Sequence, residues 1–219
     1  KKRAGKWQGG ALQCPLTRAH TRAHAYDNDN KLFSARAMPS RPALAAPIDD
    51  DLNHWSAERL ARALAAGKPI PRKEKLEVRS SPVHGKGVFT RVPLKKGELV
   101  LEYLGAIIDW PEALRRHPHD PAQPNHTFYF TLDDERVIDG NDGGNRARWI
   151  NHSCQPNCES ETKGDKVWVR ALRNLAAGQE LFYDYGLVID EPLTPQLQKD
   201  YQCLCGSKKC RGTLLALAD

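Results

Sequence analysis

Short apolar stretches that alternate with polar residues dominate the chain from Leu76 onward. They are rich in Val, Ile, Tyr, Phe and Trp, and Gly, Asp and Pro separate them, which is typical of β-strands. Val167, Val169 and Ala171 occupy every second position and indicate a half-buried strand, preceded by a predicted hairpin tip at 163–165. The predicted strands are Val88–Val92, Leu99–Ile108, Thr127–Leu132, Arg136–Asp139, Lys166–Leu172 and Glu180–Tyr183.

Helical patterns are few. Ser56 to Ala66 predicts a short helix, in which Ser56 caps the first turn and Leu60 and Leu64 form one apolar stripe. Gly67 follows its end. A second helical turn is predicted at Pro111–Arg116. The pattern therefore predicts a mainly β fold.

The chain divides into three predicted regions. Residues 1–75 form a basic N-terminal extension, which is predicted to be largely disordered apart from the helix near 56–66. Residues 76–190 form the β domain, and residues 191–219 form a cysteine-bearing tail. No apolar run approaches the ~18 residues that a membrane span needs, so no membrane partner is predicted.

Charge is distributed unevenly. Residues 1–75 hold 15 Lys and Arg against 7 Asp and Glu, a net charge of +8. Residues 76–219 hold 18 against 20, a net charge of −2. The basic extension suggests a polyanionic partner such as nucleic acid; the alternative is a solvated leader without a partner.

Cysteine spacing indicates a metal rather than disulfides. Cys203, Cys205 and Cys210 lie within eight residues, in a chain that opens without a secretory signal pattern. Three thiolates at this spacing can share one Zn²⁺, which requires a fourth ligand from elsewhere in the chain. The other cysteines are Cys14, Cys154 and Cys158.

Three polar motifs could carry chemistry. Gly85-Lys86-Gly87 allows main-chain groups to approach a ligand, but no third glycine opens a helix, which argues against a dinucleotide fold. Asn151 begins the run Asn-His-Ser-Cys and offers a donor and an acceptor; alternatively, this run is a turn before Pro156. The tyrosines of Tyr183-Asp184-Tyr185 are either core aromatics with a polar tip or part of a catalytic site.

Together, these motifs resemble the SET-domain protein lysine methyltransferases that carry a post-SET zinc motif. The resemblance covers residues 76–215 and departs from the family at Trp149, where Phe or Leu is usual, and at Ala106, where Glu is frequent. It implies a SET-domain fold of small β-sheets, with a pseudoknot-like C-terminal segment and a zinc-bound post-SET tail. The segments that carry it are Gly85–Phe89, Gly144–Cys154, Tyr183–Tyr185 and Cys203–Cys210.

The resemblance also implies roles for individual residues. S-adenosylmethionine is the expected cofactor and Zn²⁺ the expected metal. Tyr185 matches the tyrosine at the point of methyl transfer, Tyr183 the position that governs the number of methyl groups, and Tyr103 a tyrosine of the lysine channel. The implied cofactor-binding residues are Lys86, Gly87, Val88, Asn151, His152 and Tyr185. The implied metal ligands are Cys154, Cys203, Cys205 and Cys210, with Cys158 as a rival to Cys154.

The predicted function is methyl transfer from S-adenosylmethionine to a protein lysine, mainly to the monomethyl product. A lysine ammonium, with a pKa near ~10.4, has no lone pair, so a desolvating aromatic channel is needed to favour the neutral amine. The predicted substrate is a basic segment of a histone tail or of a bacterial DNA-binding protein. The corresponding locations are the nucleus and the bacterial cytoplasm, with export to a host nucleus left open. The alternative is a degenerate SET domain that binds protein or nucleic acid without catalysis.

Overall fold

The computed structural model describes residues 54–117, 127–133, 135–188 and 194–216. The helices in these ranges are α1 (Ala57–Ala65), α2 (Trp110–Arg116) and α3 (Pro195–Asp200), and 3₁₀ turns occupy Arg72–Lys75 and Arg146–Trp149. Each of these helices is too short or too polar to span a bilayer. The strands are β1 (Leu76–Ser80), β2 (Lys86–Thr90), β3 (Leu99–Tyr103), β4 (Ala106–Asp109), β5 (Tyr129–Thr131), β6 (Arg136–Asp139), β7 (Asn151–His152), β8 (Cys158–Lys163), β9 (Lys166–Ala171) and β10 (Phe182–Tyr183).

The strands form several small sheets. β1 and β2 form an antiparallel pair, β9 lies between β3 and β8, and β6 lies between β4 and β5. The short strands β7 and β10 pair in parallel, which places Asn151 beside Phe182 and His152 beside Tyr183. This architecture confirms the predicted mainly β fold of small sheets.

The main core is built by alternate residues of the central strands. Val167, Val169 and Ala171 of β9 are buried as the alternation predicts, together with Val88 of β2 and Leu181. Burial of such an aliphatic side chain contributes about 1.5–3 kcal/mol. A smaller apolar cluster beneath α2 holds that helix against the β4–β6–β5 sheet.

One predicted strand is interrupted. Residues 99–108 form β3 and β4, which lie in different sheets, rather than a single strand. Between them, a Cβ atom at Gly105 would overlap the carbonyl oxygen of Asp139, so the chain passes β6 at a distance that only glycine permits. The pattern of apolar residues cannot predict this close approach, because the approach is between backbone atoms of two chain segments.

Residues 54–75 pack against the β domain. Ser56 caps α1 as predicted, by accepting a hydrogen bond from the Arg59 N–H at 3.2 Å, and Leu60 enters the core. Glu74 is only 1% exposed and accepts the Trp55 N–H at 2.7 Å. The folded part of the chain therefore begins before residue 76, where the sequence pattern placed the start of the domain. The predictions for residues 1–50 lie outside the described residues.

Candidate active site and cysteine cluster

A cavity of about 670 Å³ lies where the sequence motifs meet. Its wall includes Gly85 and Lys86 of the glycine loop, the 3₁₀ turn before β7, the tyrosines of the 183–185 segment and part of the cysteine-bearing tail. The fold thus brings together motifs that are far apart in sequence. Seven of the predicted site residues line it: Lys86, Tyr103, Asn151, His152, Tyr183, Tyr185 and the predicted metal ligand Cys203.

Asn151 anchors the glycine loop. Its amide Nδ2 donates to the carbonyl oxygen of Lys86 at 2.9 Å and to that of His84 at 3.3 Å. It also donates to the Glu180 carboxylate at 3.0 Å, so its nitrogen faces only acceptors, which fixes the orientation of the amide. The sequence suggested that Asn151 would offer its donor to a ligand, whereas the structure directs that donor to the loop.

Glu180 does not line the cavity but accepts a hydrogen bond from Asn151, and the sequence analysis did not identify it. It is 8% exposed, and its main chain accepts a hydrogen bond from the Asn157 side chain at 2.7 Å. A Cβ atom at Gly87 would overlap its carboxylate, so the second glycine of the loop makes room for Glu180. Gly87 and Val88 do not line the cavity, and the Val88 side chain is buried in the core. An isolated glutamate at the start of a predicted strand gives no indication in the sequence that it holds the Asn151 amide.

Three tyrosines converge on one side of the cavity. The Tyr185 hydroxyl donates to the Ile150 carbonyl at 2.8 Å, and the Tyr103 hydroxyl donates to the Phe128 carbonyl at 2.7 Å. The rings of Tyr183 and Tyr185 lie 5.2 Å apart, and the Tyr183 hydroxyl has no hydrogen-bond partner among the described residues. Burial raises the pKa of each of the three phenols, so all three remain protonated at neutral pH.

His152 connects the tyrosines to the cysteines. Its Nδ1 accepts the Tyr185 N–H at 3.1 Å, so the ring proton of the neutral imidazole is on Nε2, which lies 3.3 Å from Cys154 Sγ. Burial lowers the pKa of His152 to about 4, although the nearby Asp184 carboxylate opposes this change. His152 is therefore neutral at physiological pH and is held on both nitrogens.

Trp149, which departs from the family pattern, lies in the cavity wall. Its ring contacts the ring of Phe128 edge to face, with centroids 4.9 Å apart. The ammonium of Lys86 and the guanidinium of Arg148 each lie 4.8 Å from the Trp149 ring. These are cation–π distances, so the larger ring brings two positive charges to this wall.

Four cysteines gather beside the cavity. The Sγ atoms of Cys154, Cys203, Cys205 and Cys210 all lie within 4.8 Å of one another. Main-chain N–H groups donate to three of these sulfurs, each at 3.4 Å. Such donors stabilise thiolates, and four thiolates match the coordination number that Zn²⁺ prefers in structural sites. This cluster can hold a metal ion.

Cys158, the rival fourth ligand, lies outside the cluster. It is fully buried in the main core, and burial raises the pKa of its thiol to about 12. It therefore remains a thiol at neutral pH. The geometry supports Cys154 as the fourth sulfur, a choice that spacing alone left open.

Comparison with known proteins agrees with this geometry. Residues 85–186 match the family model described as "SET domain". The chain is 36% identical over 211 residues to histone-lysine N-methyltransferase trithorax of Drosophila virilis, a match that covers 93% of this chain and 5% of that protein. It is also 36% identical over 143 residues to human histone-lysine N-methyltransferase 2B, which covers 64% of this chain and 5% of that protein.

A third relative is histone-lysine N-methyltransferase TRX1 of Oryza sativa, at 36% identity over 65% of this chain and 14% of that protein. The chain thus spans a small fraction of the length of these relatives. The match and the convergence of the motifs on one cavity confirm the predicted family. The chain belongs to the SET-domain family, with its SET domain at residues 85–186.

Proposed function

We propose that the protein is an S-adenosylmethionine-dependent protein-lysine N-methyltransferase. The observation that carries this proposal is the convergence of Tyr103, Tyr183 and Tyr185 on one cavity, whose wall also includes Lys86 of the loop that Asn151 anchors. The names of the three relatives reported above, each a histone-lysine N-methyltransferase, support the same activity. A methyl-transfer assay with labelled cofactor tests it; the absence of transfer to any basic protein would favour the non-catalytic alternative.

The proposed chemistry follows from how Tyr185 is held. Because its hydroxyl proton is directed to the Ile150 carbonyl, the oxygen can accept an N–H from a lysine amine in the cavity. This contact would leave the amine lone pair free to point toward the methyl group. When bound, S-adenosylmethionine would supply that methyl from its sulfonium, with the S–CH₃ bond breaking as the N–CH₃ bond forms, after the lysine ammonium has released one proton to solvent. Positioning of the two reactants supplies most of the rate enhancement.

The proposed channel also favours the neutral amine. The cavity wall is aromatic on the tyrosine side, and the apolar surroundings disfavour a buried ammonium, so the pKa of a bound lysine falls. The aromatic faces still attract the ammonium as it enters, by about 0.5–2 kcal/mol. Lysine binding and deprotonation therefore require no charged general base from the protein.

The cofactor is proposed to bind beside the glycine loop, through Lys86, Asn151, His152 and Tyr185, which line the cavity, whereas the predicted Gly87 and Val88 do not. The loop has the form that this needs: Gly85 has a φ of 45°, and Gly87 has no Cβ to block Glu180. Among these residues, Asn151 acts by holding the loop in place. Its contribution can be measured separately from chemistry.

Replacing Asn151 with Ala is expected to weaken cofactor binding by about 10- to 100-fold, since the loop carbonyls and Glu180 lose a shared donor worth about 1–3 kcal/mol. Isothermal titration calorimetry with S-adenosylmethionine measures this. Asn174→Ala is the matched control, because Asn174 is exposed and, among the described residues, its side chain bonds only the Lys96 N–H. Equal affinities for the two variants would contradict the proposed cofactor site.

The proposed substrate is a lysine in a basic segment, either a histone tail or a bacterial DNA-binding protein. Residues 76–219 carry a net charge of −2, which accepts a basic peptide. The place of action follows from the substrate: the nucleus for a histone, or the bacterial cytoplasm for a bacterial protein. An assay on purified core histones and on basic bacterial DNA-binding proteins distinguishes these substrates.

The product is proposed to be mainly monomethyl-lysine. Tyr183 lines the cavity, and its hydroxyl is proposed to hold a water molecule beside the amine and to occupy space that a second methyl group needs. Tyr183→Phe is expected to shift the product toward di- and trimethyl-lysine, since one hydrogen bond of about 0.5–1.5 kcal/mol changes the ratio of successive rates. Mass spectrometry of completed reactions measures the products. Abundant trimethyl-lysine from the unaltered enzyme would refute this role for Tyr183.

The basic N-terminal segment is proposed to bind nucleic acid. Deletion of residues 1–50 is expected to leave turnover on a short peptide unchanged and to weaken binding to duplex DNA, with a shallower salt dependence. Fluorescence anisotropy at several salt concentrations measures this binding. A full-length variant with the nine Lys and Arg residues of this segment changed to Gln separates the effect of charge from that of length. Unchanged DNA binding in both variants would leave the segment without this role.

A further inference from the structure

Asp184 stands between Tyr183 and Tyr185 in the sequence and is held by the C-terminal tail. Arg211, the residue after Cys210, donates from Nη2 to Asp184 Oδ1 at 2.7 Å and from Nη1 to Asp184 Oδ2. Both oxygens of the carboxylate are therefore engaged by one guanidinium. Bidentate pairs of this type are stronger and more directional than a single ionic contact.

The same guanidinium organises the end of the tail. Arg211 Nε donates to the Leu215 carbonyl at 2.9 Å, and Nη2 also donates to the Leu214 carbonyl at 3.2 Å. The Ala216 N–H in turn donates to the Leu187 carbonyl at 2.7 Å, so the tail pairs with the chain just after residues 183–185. Only arginine has planar, forked donors that can satisfy a carboxylate and two carbonyls together.

A second path joins the tail to Tyr185. The Arg211 main-chain N–H donates to Cys154 Sγ at 3.4 Å, and Cys154 contacts His152, which accepts the Tyr185 N–H. Arg211, Asp184, Tyr185, His152 and Cys154 thus form a closed ring of contacts. In such a ring, no member can shift without disturbing two neighbours.

We infer that Arg211 is a positioning residue, which couples the packing of the C-terminal tail to the placement of Tyr185. The expected effect of Arg211 on turnover rests on the proposed methyltransferase function. The expected effect on the position of Tyr185 does not. Arg211 does not line the cavity, so it acts through Asp184 and the tail rather than on the reacting atoms. A displacement of Tyr185 by about 1 Å can lower the rate by about 10²-fold.

Arg211→Lys and Arg211→Ala test this inference against Arg136→Lys, a control whose guanidinium pairs with Asp133 and Asp165 at the surface. Both Arg211 variants are expected to keep the zinc content of the unaltered protein, because all four sulfurs remain. We expect kcat on the best protein substrate to fall by about 10- to 100-fold, with KM for that substrate changing less. Arg136→Lys is expected to change neither kcat nor KM.

Hydrogen exchange provides a readout that does not depend on activity. The peptide covering residues 182–187 contains the Tyr185 amide, whose N–H donates a hydrogen bond to His152. Amide hydrogens of this peptide are expected to exchange faster in both Arg211 variants at full zinc content. An Asp184→Ala, Arg211→Ala double variant is expected to lose no more kcat than the larger single effect, because both changes remove one clamp.

Unchanged exchange of residues 182–187 in Arg211→Ala would overturn the inference, whether or not the protein transfers methyl groups. Additive losses of kcat in the double variant would also overturn it. Loss of zinc from Arg211→Lys would show instead that Arg211 supports the cysteine cluster. An inactive unaltered protein whose exchange nevertheless responds to Arg211→Ala would refute the proposed function and retain the structural coupling.

Discussion

Tyr185→Phe is expected to reduce methyl transfer by at least about 100-fold, while S-adenosylmethionine binds with nearly unchanged affinity. The hydroxyl is held by the Ile150 carbonyl, and its oxygen is the group that would accept the amine N–H and aim the lone pair. Phe keeps the ring and its packing against Tyr183 but removes this acceptor. A loss of about 2.7 kcal/mol or more in transition-state stabilisation corresponds to that rate change.

Two measurements check this prediction: turnover by release of S-adenosylhomocysteine, and cofactor affinity by calorimetry. Tyr201→Phe is the matched control, because Tyr201 is buried against the core and does not line the cavity. We expect it to retain turnover. If Tyr185→Phe also retained the turnover of the unaltered protein, the assignment of Tyr185 as the catalytic tyrosine would be wrong.

Cys205→Ser is expected to lose both metal and activity. The four clustered sulfurs are proposed to bind one Zn²⁺, and a hydroxyl is a poor replacement for a thiolate ligand. Without the metal, the tail that borders the cavity at Cys203 and Leu204 would lose the ion that links its thiolates to that of Cys154. Elemental analysis by mass spectrometry should give about one zinc per chain in the unaltered protein and none in this variant.

Cys158→Ala is the matched control for this loss, since Cys158 is a buried core thiol outside the cluster. It is expected to keep zinc and to lose only some thermal stability. Zinc below about half an equivalent in freshly purified, unaltered protein would contradict the proposed metal site. Zinc lost from Cys158→Ala but kept in Cys154→Ser would show that the fourth ligand had been assigned to the wrong cysteine.

Local patterns predicted the elements whose stability is local. The alternation at Val167, Val169 and Ala171 gave β9 its buried face, and Ser56 predicted the start of α1. Both signals arise within a few residues: the side-chain period of a strand and the capping of a first turn. The motif string around Asn151 also identified the family from sequence alone, which the comparison with known proteins confirms.

Elements that depend on partners were not predicted. β8, from Cys158 to Lys163, is largely polar and is a strand because β9 pairs with it along its full length. α3 follows a Thr194 cap in a segment with a single buried leucine, Leu197. In each case the stabilising groups belong to another part of the chain, so a local window contains no record of them.

The sequence by itself determined the family, the mainly β fold and the motifs that meet at the cavity. Only the tertiary structure decided three features of the site. Cys154 rather than Cys158 joins the cysteine cluster, the Asn151 amide donates its hydrogen bond to the glycine loop, and Arg211 holds Asp184. Arg211 and Asp184 are 27 residues apart, and Asn151 and Lys86 are 65 apart. Hydrogen bonds and metal ligation act over about 2–4 Å in space, and the fold of the whole chain determines which distant groups come within that range.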